Sequence, residues 1–80
     1  MAVEHIKELI LNVLKTLVQY PAEVTVKPIE GDNTVVFEVQ VNPEDAGKVI
    51  GKKGRTINAL RTILRASAHL EGRKVMMELV

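Results

Sequence analysis

The sequence predicts an α+β fold in which a three-stranded sheet is covered on one face by helices, in the order α-β-β-α-α-β. Three observations predict it. An apolar stripe of helical period runs through residues 3–19. Apolar and polar residues alternate at 24–27, at 35–41 and again at 75–79. Between the second and third alternations, Gly51 and Gly54 interrupt a short helix and a second, longer one follows.

In the first helix Val3, Ile6, Ile10, Val13, Leu14 and Leu17 form the apolar stripe, and Glu4, Lys7, Glu8, Asn12 and Lys15 the polar side. Leu11 falls on that polar side, between Lys7 and Lys15. Pro21 is the expected stop. Val24, Thr25, Val26 and Lys27 read as a strand that ends at Pro28, and a proline there marks a sheet edge. Gly31-Asp32-Asn33 is a turn, which makes the first two strands a hairpin. Val35, Phe37, Val39 and Val41 alternate more cleanly and predict the central strand. Asn42-Pro43-Glu44-Asp45 has the chemistry of a helix start: a capping amide, a proline suited to the first turn, and two carboxylates at the positive dipole end. The next helix begins near Gly54 or Arg55 and runs to about Leu70, with Ile57, Leu60, Leu64 and Ala68 inward and Gly72 closing it. The helical crossover between the second and third strands is long enough for parallel pairing.

Eighty residues without a linker or repeat predict one domain over 1–80. No cysteine is present, so disulfides and thiolate metal sites are excluded, and no metal or other cofactor is expected. The acidic N-terminus does not resemble a signal peptide, and no apolar run approaches a membrane span. Net charge is +1, but it is unevenly distributed. Residues 1–45 hold three basic against eight acidic side chains, a net of −5. Residues 46–80 hold eight against two, a net of +6. The C-terminal half therefore either meets an anionic partner or is neutralised by the other half.

The stretch Gly51-Lys52-Lys53-Gly54 places two lysines between two glycines at a helix–helix corner. Glycine admits backbone angles closed to other residues and lets a ligand backbone come close. Amides opening a helix lack intrahelical acceptors and favour an anion. Lys52 and Lys53 add charge, and Lys48 and Arg55 extend the patch. The expected ligand is a chain of phosphates. A bare G-x-x-G is common and reads equally as a plain turn. Here its setting between helices, after a hairpin, favours the phosphate clamp.

The run Val49-Ile50-Gly51-Lys52-Lys53-Gly54-Arg55-Thr56-Ile57 resembles the KH signature, and the element order resembles the type II, prokaryotic KH fold over essentially the whole chain. In length and isolation the chain is similar to the family of small bacterial KhpA (YlqC-like) RNA-binding proteins. The resemblance implies that about four nucleotides of single-stranded RNA, with single-stranded DNA as the alternative strand, lie beside the two helices. Gly51, Lys52, Lys53 and Gly54 would hold phosphates. Val49, Ile50 and Ile57 are candidates for an aliphatic floor under the bases, although each also suits the core and that reading is preferred for Ile50 and Ile57. Asn58 and Arg61, on the polar side of the second of these helices, are further candidate contacts. Arg65 one turn on reads as solvated. The resemblance also implies a cytoplasmic homodimer, pairing with a KhpB/Jag-like KH protein, and a role as RNA chaperone or post-transcriptional regulator linked to cell elongation and division. The alternative is a KH-fold interaction or dimerisation module that binds no nucleic acid.

Enzymatic readings fail. Ser67 and His69 lack a third partner, and helix-start chemistry accounts for Glu44 and Asp45. The P-loop pattern requires a glycine where Ala46 stands, and the dinucleotide fingerprint lacks its middle glycine. Tyr20 and Phe37 are the only aromatics, so stacking platforms are scarce and weak, sequence-tolerant binding is expected.

Overall fold

A computed structural model describes residues 3–67 and 72–80. Helix α1 spans Val3–Leu17, strand β1 Thr25–Glu30, strand β2 Thr34–Gln40, helix α2 Ala46–Ile50, helix α3 Arg55–Ser67 and strand β3 Lys74–Leu79. Short 3₁₀ turns at Pro21–Glu23, Pro43–Asp45 and Lys52–Gly54 join them. The expected order α-β-β-α-α-β is therefore present. The stretch of α3 expected beyond Ser67, with the inward Ala68, His69 and the expected end at Leu70, lies outside the described residues.

The sheet order is β1-β2-β3, with β1 antiparallel and β3 parallel to β2. The cleanest alternation is thus the central strand. Its inward residues Val35, Phe37 and Val39 face Val26 and Pro28 across one side of the ladder and Val75 and Met77 across the other. Ile6, Ile10 and Leu14 of α1, Val49 of α2, and Ile57, Leu60 and Leu64 of α3 close over this face. Phe37 sits at the centre, fully buried.

Four local expectations are corrected. Strand β1 does not stop at Pro28 but continues to Glu30, because an edge strand leaves one side of its backbone without a ladder partner and a missing N–H costs nothing there. Leu11 is partly buried against the core, whereas Leu17, the last helical residue, is 40% exposed. The half-buried Val18, just past the helix end, packs on the core instead. Pro21 does not end α1; the helix stops four residues earlier. What ends it is Asp45. Its carboxylate is 0% exposed and accepts hydrogen bonds from the Gln19 amide at 2.9 Å and the Tyr20 amide at 3.0 Å.

Asp45 therefore does more than start a helix. The capping role falls to Asn42, whose side-chain oxygen accepts from the Glu44 amide at 2.8 Å while its amide nitrogen donates to Glu23 at 2.9 Å. The Glu44 carboxylate, with burial and the charges of Asp45 and Glu23, raises the Tyr20 phenol above its ordinary value. Together these contacts pin the exit of α1 to the entrance of α2, which fixes where the glycine corner begins.

Replacing Asp45 with alanine leaves two buried-side amides without their charged acceptor and is expected to cost about 2–4 kcal/mol, read by urea unfolding. Asp45→Asn is expected to be destabilised as well, because its NH₂ group would face one of the two N–H donors.

Candidate nucleic-acid interface

Helix α2 ends when the Gly51 amide donates to the Gly47 carbonyl at 2.8 Å. The backbone then reverses through three residues of positive φ: Gly51 at 77°, Lys53 at 57° and Gly54 at 75°. The two glycines are needed for different reasons. A Cβ on Gly51 would lie 2.7 Å from Thr56 Cβ and 2.8 Å from the Thr56 backbone nitrogen, so the position is closed by both angle and space. A Cβ on Gly54 would meet only the Asn58 amide nitrogen, at 3.5 Å, an ordinary contact. There the angle alone demands glycine. Thr56, which sequence reading passed over, is the residue on which the corner closes.

The corner also changes how an anion would be held. The Gly54 amide donates to the Gly51 carbonyl at 3.1 Å, and the Arg55 amide to the Lys52 carbonyl. Two of the amides expected to stand open at the start of α3 are thus engaged within the turn. Cations also stand at this corner. Lys52, Lys53 and Arg55 are exposed, and among the described residues none of them meets a carboxylate. Only Lys48, 3.8 Å from Asp45, and Arg73, 3.0 Å from Glu30, have acidic partners among the described residues. Neutralisation of the basic half by the acidic half therefore does not extend to the corner.

The aliphatic candidates separate. Val49 and Ile57 are core residues, and Ile50 is 40% exposed beside the corner. A five-residue helix buries one position; Val49 takes it, and its neighbour, about 100° round, is turned out. The preferred core reading of Ile50 is thus reversed, while that of Ile57 holds.

From Gly54 at the end of the turn, Asn58, Arg61 and Arg65 of α3 follow at helical spacing on one face, leading away from the corner. Arg61 is half-buried and hydrogen-bonded. Its Nε donates to the Met77 carbonyl on β3 at 3.1 Å and its Nη1 to Asn58 Oδ1 at 3.3 Å. Beside it a groove of about 190 Å³ runs between α3 and β3, with Arg65, Leu64, Lys74 and Met76 in its walls. Arg65 and Lys74 are exposed. The described residues hold no group of histidines or carboxylates placed to bind a metal, and no helix among them is long and apolar enough to cross a membrane.

Residues 7–79 match the family described as KhpA/KhpB, KH domain. The chain is 43% identical to the RNA-binding protein KhpA of Clostridium perfringens over 74 residues, which cover 92% of this chain and 99% of that one. It is 43% identical to the RNA-binding protein KhpA of Chlamydia trachomatis, covering 92% and 95%, and 38% identical to that of Listeria monocytogenes, covering 92% and 97%. Among solved structures, it resembles part of a variant of Aquifex aeolicus Era bound to GDP.AlF4⁻, with a TM-score of 0.60 and 25% identity. That likeness covers 94% of this chain but 29% of the Era chain, so it bears on the domain fold.

The geometry separates the glycines experimentally. Gly54→Ala is expected to cost about 1–2 kcal/mol, the ordinary penalty for an L-residue in this region. Gly51→Ala is expected to cost more and to shift amide resonances of Thr56 and its neighbours, since that backbone must move. Thermal unfolding with two-dimensional NMR compares them.

Proposed function

This chain belongs to the KhpA/KhpB KH-domain family, and from that premise we propose that it binds RNA by clamping the phosphates of a single strand at Gly51-Lys52-Lys53-Gly54. The observation that carries the reading is a corner closed to side chains at Gly51 and ringed by Lys52, Lys53 and Arg55, none with an acidic partner among the described residues. Lys48 contributes less, since it shares its charge with Asp45. The bases extend from the corner past the exposed Ile50 and along the face of Asn58 and Arg61 toward the groove between α3 and β3. With Phe37 buried, binding is sequence-tolerant and modest in strength. Single-stranded DNA is the natural competitor. The role is that of an RNA chaperone or regulator serving cell elongation and division rather than of an enzyme, within one KH domain over residues 1–80 and in the cytoplasm.

Self-association also belongs to this proposal, as does pairing with a KhpB/Jag-like KH protein. On α3, Ile63 is 53% exposed, with exposed Ala59 and Ala66 one turn away on either side. This apolar strip, set apart from the glycine corner, is also the specific observation favouring the interaction-module reading.

A gel shift with short, unstructured RNA at low salt tests the clamp. Lys52→Asp with Lys53→Asp is expected to abolish the shift and leave circular dichroism unchanged; retained affinity would remove the corner from the mechanism. If two or three phosphates are neutralised, log affinity against log salt has a slope of roughly −1.4 to −2.1. Sedimentation at micromolar concentration is expected to show a dimer, and a monomer would leave α3 without that role.

A further inference from the structure

We propose that Asn58 is a neutral hydrogen-bond donor to the phosphodiester leaving the glycine corner, and that Arg61 is its positioning residue rather than a contact to RNA. The inference rests on the clamp reading and assigns roles within it.

An exposed asparagine side chain ordinarily presents its oxygen or its nitrogen in a given direction with little preference. Here the choice is made by a cation. Asn58 Oδ1 accepts from Arg61 Nη1 at 3.3 Å, and an oxygen is the only end of the amide that can do so. The NH₂ end is therefore turned the other way. It stands 3.5 Å from where a Cβ of Gly54 would be, beside the exit of the corner. Among the described residues nothing accepts from it. Two N–H donors thus face the place where the strand would leave Gly54, next to the charges of Lys53 and Arg55.

Arg61 is held from the other side. Its Nε donates to the Met77 carbonyl at 3.1 Å. Met77 stands on the edge strand, and its neighbours in sequence alternate between the β2 ladder and the open edge, so its carbonyl is one that β2 does not use. The guanidinium is thus anchored to the sheet by one nitrogen and orients the amide with another. The sheet edge, Arg61, Asn58 and Gly54 form one continuous chain of contacts, which sets the donor without moving a second full charge onto the phosphate.

The roles differ in salt dependence. A neutral donor displaces no condensed cation, so losing it lowers affinity at unchanged slope. A direct arginine–phosphate contact, once lost, makes the slope shallower by about 0.7. The test uses a fluorescein-labelled octauridylate in anisotropy titrations at several salt concentrations. Asn58→Ala is expected to weaken binding about threefold to tenfold with the slope unchanged. Asn58→Asp retains the acceptor for Arg61 but presents an anion to the strand; it is expected to weaken binding more than Asn58→Ala while melting with the wild type. Arg61→Met is expected to weaken binding to the same degree as Asn58→Ala, with the slope unchanged, and to add nothing in the Asn58→Ala background. Wild-type affinity in both Asn58 variants, a shallower slope in Arg61→Met, or additive losses in the double variant would each overturn the assignment while leaving the clamp standing. A wild-type protein that ignores the octauridylate, or a Lys52→Asp, Lys53→Asp variant that still binds it, would instead remove the clamp and this inference with it.

Discussion

The structure depends on one close approach, the packing of Thr56 against the bare Cα of Gly51. Two helices meet there with no room for a side chain. The angle at which α2 hands the chain to α3 follows from it, and so does the conformation of the residues between. Lys53 must take a left-handed backbone, φ 57°, which costs an L-residue about 1–2 kcal/mol. Strain of this kind persists only where its surroundings enforce it. On one side α2 is held by Asp45 against the end of α1; on the other α3 is held by Ile57, Leu60 and Leu64 in the core.

A corner this tight folds some of its own amides inward. Gly54 and Arg55 bond back to Gly51 and Lys52, so the turn stabilises itself at the expense of part of the helix opening. What it offers outward is a knot of mobile cations on a rigid base. Such a surface suits a flexible polyanion, whose phosphates can settle wherever the charges are, better than a single shaped anion. The same division of labour recurs along α3. Arg61 is bound to the sheet edge and to Asn58, whereas Arg65, one turn further, remains exposed in the groove wall. Two arginines one turn apart are thus placed differently, one tied to the Met77 carbonyl and the other exposed.

Much of the candidate site's geometry was legible in sequence. Gly51-Lys52-Lys53-Gly54 stands at the helix–helix corner, because glycine pairs and lysines report backbone freedom and charge directly. Thr56 was not legible, since a threonine at the start of a helix is common and nothing in its spacing announces contact with a glycine five residues before it. The burial of Ile50 was misread, because inward and outward positions in a helix of five residues are set by the sheet beneath it rather than by a period that needs several turns to establish itself. Asp45 was read as local helix chemistry, and its partners Gln19 and Tyr20 lie too far away in sequence for any local rule to find.

By itself, the sequence determined the order of elements, the central place of the strand around Phe37, and the charge and flexibility of the corner. These are properties of period, composition and residue type, which act over a few residues. Tertiary structure alone decided where α1 ends, which lysines and arginines are left without acidic partners among the described residues, and which way the Asn58 amide faces. Each of those depends on groups brought together from distant parts of the chain, and a hydrogen bond or ion pair forms only when folding has put its two ends within about 3–4 Å.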